Sequence, residues 1–387
     1  MLQYFRRCRQ EVIPFKIRSI LSLLLIIGVI WYFYGDDYER AGFQGVTSEI
    51  QSDLQSIKEN PIITNTIDTI STGIKELFHE FLPEERSEGQ QVEEKPNLES
   101  PPSTEIFSIH NVELKDSRAD VEAEAGPPKR SSLNEYGVNW VAYHENYQNF
   151  FMVAYDDKNQ IVGLFTNQDL FTSSEEISMK SNQKEVIAAL GEPLDSIDKG
   201  LVRYQINKEQ AYDVFLLDES YVTIFYDKHE NNTITAIQMI SKDLEQQKQK
   251  YFAEPSEQLK EGFELQLFDL TNAARVHHGL PVLAWNEEVR QTARDHSTDM
   301  ADHNYFSHTN LAGLSPFDRM KEDHIRFQIA GENLASGQPS SIFAHEGLMN
   351  SEGHRENILN NKFETLGIGV AFNQDSQPFY TENFVTN

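Results

Sequence analysis

The sequence predicts an α+β protein in which two folded regions follow an apolar N-terminal helix. A predominantly apolar segment occupies residues 19–35. Residues 114–243 combine short helical patterns with alternating or continuous apolar runs, which are typical of antiparallel strands. Residues 255–387 alternate helical patterns with two C-terminal strands, which indicates helices layered on a sheet.

The composition excludes several classes of protein. The 387 residues include 33 Lys and Arg against 61 Asp and Glu, which gives a formal net charge of −28. Because nucleic-acid binding requires basic side chains that neutralise phosphates, we expect no nucleic-acid partner. The single cysteine, Cys8, excludes intramolecular disulfides and cysteine-rich zinc sites.

Residues 19–35 are predicted to cross a membrane. This segment has the length at the lower end of the roughly 17–25 residues that a transmembrane helix needs. Lys and Arg residues precede it and acidic residues follow it, so the positive-inside rule places residues 1–18 in the cytoplasm and the rest of the chain outside. A cleaved signal peptide is the alternative, but no small-residue cleavage site follows the apolar segment.

Two segments separate this anchor from the folded regions. Residues 36–83 predict two membrane-proximal helices separated by Pro61: scattered apolar residues precede Pro61, and the apolar residues after it recur at helical spacing. Residues 84–113 contain eight acidic residues, two basic residues and one aromatic residue, Phe107. Such a segment has little apolar surface to offset the entropy of ordering, so it is predicted to be a disordered linker.

Residues 114–243 contain a weak internal repeat. Residues 119–128 and 183–193 each predict a short helix that ends at Gly followed by Pro. Strand patterns follow each helix and begin at 138–143 in the first half and at 201–206 in the second. We predict a helix followed by an antiparallel meander, twice. No catalytic or metal-ligating motif occurs in this region, and its aromatic residues are interpreted as core and cross-strand pairs.

The last region predicts four helices and two strands. The helices are expected at about 257–278, after Asn286, from Ser315-Pro316 and over 342–350; the strands are expected over 366–372 and 378–385. His296 lies on the apolar stripe of the second helix, so we interpret it as a hydrogen-bonded core histidine.

Motifs along residues 255–387 resemble those of the CAP superfamily, also called SCP. Each motif alone is weak, but their order and spacing together are specific. They are Asn272-Ala-Ala-Arg275, His278-Gly-Leu-Pro-Val-Leu283, Trp285-Asn286, Asp299-Met-Ala301, Tyr305-Phe-Ser-His308, Gly331-Glu-Asn333, Asn350-Ser351, Gly353-His-Arg355, Asn357-Ile-Leu359 and Gly367-Ile-Gly369. Residues 114–243 resemble, more loosely, the CAP-associated domain that precedes this module in some bacterial membrane proteins. The resemblance implies an α-β-α sandwich behind a small repeat domain.

The resemblance also implies a central cleft with two histidines and two acids. The cleft candidates are His308, Glu332, Glu346 and His354. The second acid is the least certain match, because Ser351 occupies the position where eukaryotic members of the family have a glutamate. Glu346 is the preferred candidate for this acid, and Glu352 is the alternative.

Two imidazoles and two carboxylates are compatible with three kinds of role. They suit a divalent metal such as zinc, with His308 and His354 as ligands. They also suit acid/base catalysis, or they satisfy one another's hydrogen bonds as a structural cluster. Met349 stands where a zinc-protease helix His-Glu-x-x-His needs its second histidine, and no G-x-S-x-G motif is present.

The leading expectation is a single-pass, extracytoplasmic protein of the cell envelope. Its CAP-like module would bind a wall polymer, a lipid or a protein through the His/Glu cleft. The second hypothesis is a hydrolase, such as a protease, that acts at the cell wall. The third is a structural protein whose repeat domain recruits partners while the cleft has no remaining activity.

Overall fold

The computed structural model describes residues 95–207 and 210–386. The predicted anchor at 19–35 and the predicted helices at 36–83 lie outside the described residues. Within those two ranges no helix is long and apolar enough to cross a membrane.

The first folded region consists of short helices and antiparallel strands. Its elements are β1 (Phe107–Ile109), α1 (Arg118–Ala125), β2 (Arg130–Leu133), β3 (Asn139–Glu145), β4 (Gln148–Tyr155), β5 (Ile161–Thr166), β6 (Phe171–Ser173), α2 (Gln183–Leu190), β7 (Ser196–Lys199), β8 (Val202–Gln205), β9 (Tyr212–Leu217), β10 (Ser220–Asp227), β11 (Thr233–Ser241) and α3 (Lys242–Gln247).

A seven-stranded antiparallel sheet in the order β2-β3-β4-β5-β11-β10-β9 forms the centre of this region. It consists of two meanders joined at β5 and β11, which confirms the predicted repeat. Both repeat helices begin with a capping box, at Ser117 and Asn182, and both end at a glycine with positive φ, Gly126 and Gly191. These matched caps explain why the two helices have the same length.

The predicted strand at 201–206 is placed differently from its expected equivalent. It forms β8, which pairs only with β7 in a separate hairpin. The strand that takes the position corresponding to β3 is β9, next to β10. Most side chains of β8 are exposed, so this strand has no apolar face that would hold it in the main sheet.

Alternating side chains of the seven-stranded sheet build two cores. On one face, residues such as Phe151 and Ile224 pack with Val121 of α1 and Val186 of α2. On the other face, residues such as Trp140, Phe225 and Ile240 pack with the second folded region. The buried aromatic residues confirm the predicted core role for most of the aromatic set.

The prediction of a disordered linker is wrong for residues 95–113. Phe107 and Ile109 are buried and pair with β6, so the single aromatic residue of the segment anchors it in the first core. Glu113 accepts hydrogen bonds from the backbone of residues 103–105. Ordering this segment is therefore offset by burial and charge-assisted hydrogen bonds that its composition did not indicate. Residues 84–94 lie outside the described part.

The second folded region is a sheet covered by helices on both faces. Its elements are α4 (Glu257–His277), β12 (Ala284–Trp285), α5 (Glu287–His303), α6 (Pro316–Glu322), β13 (Ile329–Ser336), α7 (Ser341–Met349), α8 (Glu352–Ile358), β14 (Thr365–Phe372) and β15 (Pro378–Thr386), with strand order β12-β14-β15-β13. The four predicted helices and two predicted strands are confirmed within one or two residues. β12, β13 and α8 were not predicted as secondary structure.

Side-chain alternation along β14 assigns the helices to two layers. Leu366, Ile368 and Val370 pack with α4, α7 and α8. On the opposite face Gly367 and Gly369 lie directly under α5, where a Cβ atom on either would come within 2.2 Å of the α5 backbone. The two glycines therefore set the close approach of α5 to the sheet, and the result is the expected α-β-α sandwich.

Helix α4 joins the two regions into one packed unit. Its Leu270 and Ala273 belong to the core formed with Trp140 and Phe225, and a Cβ atom on Gly262 would lie 2.1 Å from the Leu133 carbonyl oxygen. The two regions therefore pack closely over a wide interface.

A buried carboxylate strengthens the same interface. Asp269 of α4 accepts a hydrogen bond from the Tyr147 hydroxyl at 3.0 Å and pairs with Arg130 at 2.9 Å. Burial raises the pKa of Asp269 to about 6, although Arg130 opposes that shift. The orientation of one region on the other is thus fixed by polar contacts as well as by apolar packing.

Candidate functional site

The free edge of β13 organises the predicted cleft. β13 pairs only with β15, so its other edge faces α8 and the loop before α6. Successive residues of a strand point to opposite faces, and Glu332 and Asn333 therefore serve different sides of this edge. His308 contacts the Glu332 side chain through its ring, and His354 contacts the Asn333 side chain through its backbone carbonyl.

His308 is held by a buried carboxylate. Its Nδ1 lies 2.9 Å from Oε1 of Glu332, whose side chain is only 1% exposed, whereas the His308 side chain is 53% exposed. The other oxygen of Glu332 accepts from Arg319 Nη2 at 2.6 Å. Arg319 Nη1 also donates to the carbonyl of His308 at 2.7 Å. Arg319 thus fixes both the carboxylate and the backbone that carries the imidazole.

His354 is held in the first turn of α8. Its Nδ1 lies 2.8 Å from the hydroxyl oxygen of Ser351, the residue found where the family has its second acid. Asn333 donates to the His354 carbonyl at 3.1 Å. Burial lowers the pKa of His354, and His308 lowers it further, so the two imidazoles lie within electrostatic reach of each other.

Both imidazoles use Nδ1 for structural contacts. A carboxylate only accepts hydrogen bonds, so His308 donates from Nδ1 to Glu332 and its neutral ring carries a lone pair on Nε2. Neither Nε2 has a hydrogen-bond partner in the described part of the chain. The surface formed by His308, Glu332 and His354, called here the imidazole surface, therefore offers two nitrogen atoms to a ligand or a proton.

The imidazole surface offers His308 and His354 as nitrogen ligands for a metal, while the carboxylate of Glu332 already bonds His308 and Arg319. No group of three or more His, Cys, Asp or Glu side chains suited to a metal occurs within residues 95–207 and 210–386. Catalytic zinc ordinarily takes three protein ligands, and His308 and His354 provide two.

Glu346 does not join the imidazole surface. It is buried at the interface with the first region, where its Oε2 accepts from the Thr235 hydroxyl at 2.8 Å. Phe343, one turn earlier on the same helix face, also packs against the first region. The domain interface therefore determines which way this face of α7 points, and the expectation that Glu346 completes the cleft is corrected. Glu352, the alternative, is exposed on α8.

The pKa of Glu346 predicts a pH-dependent stability. Burial raises it from 4.5 to about 7, and Asp227 contributes in the same direction. Below pH 4.5 the Glu346 carboxyl is neutral in both the folded and the unfolded protein, so its ionisation does not lower the free energy of unfolding. As the pH rises through 7 the unfolded state gains the advantage of ionisation, and stability is lost. Glu346→Gln should therefore stabilise the protein at pH 8 by a few kcal/mol and have little effect at pH 4.

Urea unfolding at several pH values measures this difference. The matched control is Glu352→Gln, which removes the same charge from an exposed position of the next helix and should leave the pH profile unchanged. Equal stability of the Glu346→Gln variant and the wild type at pH 8 would contradict the prediction.

Sequence reasoning missed the residues that support the surface. Arg319 lies in α6, 13 residues before its partner Glu332, and no motif links the two. Asn357 donates to the Glu332 carbonyl at 3.3 Å and to the Asn333 side chain at 2.9 Å; it belongs to a quoted motif, which was the available signal. Glu382, whose pKa burial raises to about 7, accepts from Asn333.

The remaining histidine with a predicted role is confirmed as part of the core. His296 is buried, and its Nε2 lies 3.0 Å from the Ser307 carbonyl oxygen. Burial lowers its pKa. His296 thus holds the segment before His308 through its contact with Ser307, and its buried ring does not present a nitrogen atom to solvent.

Two family models match the chain. The model of the CAP-associated N-terminal domain covers residues 114–251, and the model of the cysteine-rich secretory protein family, CAP, covers residues 268–385. Two proteins of Bacillus subtilis strain 168 are similar. The membrane protein YlbC is 28% identical over 284 residues, which is 69% of this chain and 80% of YlbC. YkwD is 42% identical over 123 residues, which is 32% of this chain and 47% of YkwD.

Solved structures show the same arrangement. An extracellular SCP-domain protein from Bacillus anthracis matches with a TM-score of 0.62 and 25% identity, over 77% of this chain and all of that protein. A cysteine-rich secretory protein from Staphylococcus aureus matches with a TM-score of 0.54 and 16% identity, over 71% of this chain and 94% of that one, and shows the fold alone. By the two family models, residues 268–385 match the CAP family of cysteine-rich secretory proteins and residues 114–251 match the CAP-associated N-terminal domain.

Proposed function

We propose that this chain is a single-pass envelope protein whose CAP domain binds a wall polymer at the imidazole surface. Residues 19–35 would be the anchor, with residues 1–18 in the cytoplasm. The apolar segment and its flanking charges support this topology. The name of YlbC as a membrane protein and the description of the Bacillus anthracis relative as extracellular agree with it.

The observation that carries the binding proposal is the paired use of Nδ1. Glu332 fixes His308 and Ser351 fixes His354, so both rings are oriented before a ligand arrives. Preorganised polar groups reduce the entropy lost on binding. A polymer rich in hydroxyl groups would donate to Nε2 of His308, and its hydroxyl groups can either donate to or accept from Nε2 of His354.

A hydrolase is the second candidate, and the His308–Glu332 pair favours it. A histidine oriented by a buried carboxylate through Nδ1 is the arrangement in which Nε2 acts as a general base. The base would take a proton from a hydroxyl or a water molecule. A hydrolase would release soluble fragments from the polymer, whereas a binding protein would only remain attached to it.

Sedimentation of the full-length protein with purified cell walls tests the proposal. His308→Ala and His354→Ala should each weaken retention by roughly fivefold, because each removes a hydrogen bond of about 1 kcal/mol. His303→Ala, which removes an exposed histidine of α5, is the matched control and should bind as the wild type does. Equal retention of all variants would refute the binding site. Soluble fragments released only by the wild type would favour the hydrolase. A C-terminal tag that resists protease added to intact cells would overturn the topology.

A further inference from the structure

We propose that a cavity between the two domains binds an uncharged, N-acetylated saccharide. This interdomain cavity has a volume of about 160 Å³ and lies where β9, β10 and β11 extend beyond the part of the sheet covered by the CAP domain. None of its lining residues belongs to the imidazole surface. The proposal is therefore independent of the function proposed above.

Aromatic side chains from both domains form the walls of the cavity. Phe343 comes from the CAP domain, and the remaining aromatic residues are Tyr136, Tyr204, Tyr212, Tyr221 and Tyr251. The rings of Tyr212 and Phe343 meet edge to face with centroids 5.1 Å apart. Tyr251 is 44% exposed and so provides an accessible ring. Such rings cover the apolar face of a ligand, while the hydroxyl groups of Tyr136, Tyr204 and Tyr221 already make hydrogen bonds within the protein.

A buried amide without a partner lines the same cavity. Gln238 of β11 is 1% exposed, and its Nε2 makes no hydrogen bond within the described residues. An unsatisfied buried donor costs about 1–3 kcal/mol. The Nε2 atom is enclosed in this orientation, so the amide has to rotate toward the cavity for a ligand to accept its hydrogen bond and remove this cost.

A second cavity of about 300 Å³ adjoins the first and shares Tyr212, Tyr251, Pro339 and Phe343 with it. Amide side chains, including Gln210 and Gln338, line this neighbour. Amides donate and accept hydrogen bonds at once, as the hydroxyl and acetamido groups of an N-acetylated sugar do. The joined space reaches the range of roughly 300–1,000 Å³ that is usual for small-molecule sites.

The charges around the cavity favour an uncharged ligand. Lys199 pairs with Glu245, and Lys250 pairs with Glu254. The ammonium group of Lys248 lies 5.3 Å from the centroid of the Tyr136 ring; burial lowers the pKa of this lysine, while Glu135 and Glu245 act against that shift. The cations are therefore balanced, and the net charge of −28 repels anionic polymers. Besides these charged groups, the polar lining includes the side-chain amides and hydroxyls of Gln205, Thr223 and Gln238, which suit the neutral polar groups of a saccharide.

Calorimetric titration of the full-length protein with the tetramer of N-acetylglucosamine tests the proposal. Tyr251→Ala should weaken binding about tenfold, because an exposed ring that covers a sugar is lost. Gln238→Met should also weaken binding, yet it should leave the Tm of the free protein unchanged or higher, since an unsatisfied donor is removed. Phe306→Ala, which removes an exposed aromatic residue near His308, is the control and should bind normally.

Three results would overturn the proposal. The first is the absence of binding by the wild type, and the second is unchanged affinity in both cavity variants. The third is a loss of affinity in Phe306→Ala or His308→Ala but not in the cavity variants, which would move the saccharide to the imidazole surface. The variants that test wall retention (His308→Ala and His354→Ala) and those that test the cavity (Tyr251→Ala and Gln238→Met) change different residues. Failure of the saccharide proposal can therefore be distinguished from failure of the proposed function.

Discussion

A Gly369→Ala substitution is expected to destabilise the CAP domain more than any other single methyl group added to the described sheet. The new Cβ atom would lie 2.1 Å from the Arg294 nitrogen and 2.2 Å from the Ala293 carbonyl carbon. These are backbone atoms of α5, so no side-chain rotation relieves the contact and the helix has to move off the sheet. We expect a loss of about 3 kcal/mol or more and a fall in Tm of roughly 6–12 °C.

Thermal and urea unfolding measure this loss, and Gly353→Ala is the matched control. Gly353 lies in α8, and a Cβ atom there would have no heavy atom within 4 Å. The control should gain about 0.5–1 kcal/mol, because alanine is the better helix former. If both variants unfolded at the wild-type temperature, the close approach of α5 to β14 would be refuted.

The second large effect is expected for Arg319→Ala. Arg319 and Glu332 are both buried and lie 2.6 Å apart, so the variant leaves a buried carboxylate without its cation. Removal of one partner from a buried pair costs about 3–5 kcal/mol. The carbonyl groups of His308 and Leu314 also lose their donor, so the loop that carries the imidazole should loosen.

Urea unfolding compared with Arg326→Ala checks this expectation. Arg326 is exposed, and its loss should change stability by less than about 0.5 kcal/mol. Similar small losses in the two variants would mean that Glu332 does not depend on Arg319. Histidine resonances in the Arg319→Ala variant would report directly on the freedom of the His308 ring.

Local signals explain how much of the fold could be predicted. Asn286 caps α5 through its side chain, and α6 begins at Ser315-Pro316 with a capping box. A few neighbouring residues therefore indicate where each helix begins. β13 was missed because Glu332 and Asn333 interrupt its apolar pattern, although both are buried. Their burial depends on Arg319 and Asn357, which lie elsewhere in the chain and leave no periodic signal.

The candidate site shows the same division between local and long-range information. His308 and Glu332 follow from the motifs and do meet. The position of Glu346 could not be inferred, because Thr235 of the other domain decides which face of α7 is buried. Several motif residues serve the fold: Asn272 binds the Leu283 backbone, and Arg275 donates to three carbonyl groups. Some motif residues therefore attach loops to the fold, and others supply the side chains of the candidate site.

Helix α4 contributes to the hydrophobic cores of both domains, with Phe263 and Leu267 in one and Leu270 and Ala273 in the other. Loss of this helix would expose both cores, so the two domains should melt together in one transition. A compound that binds only the folded form raises the free energy of unfolding according to its concentration and affinity. One melting curve thus reports the occupancy of either domain, and a ligand screen on the whole molecule detects a compound at whichever surface it occupies.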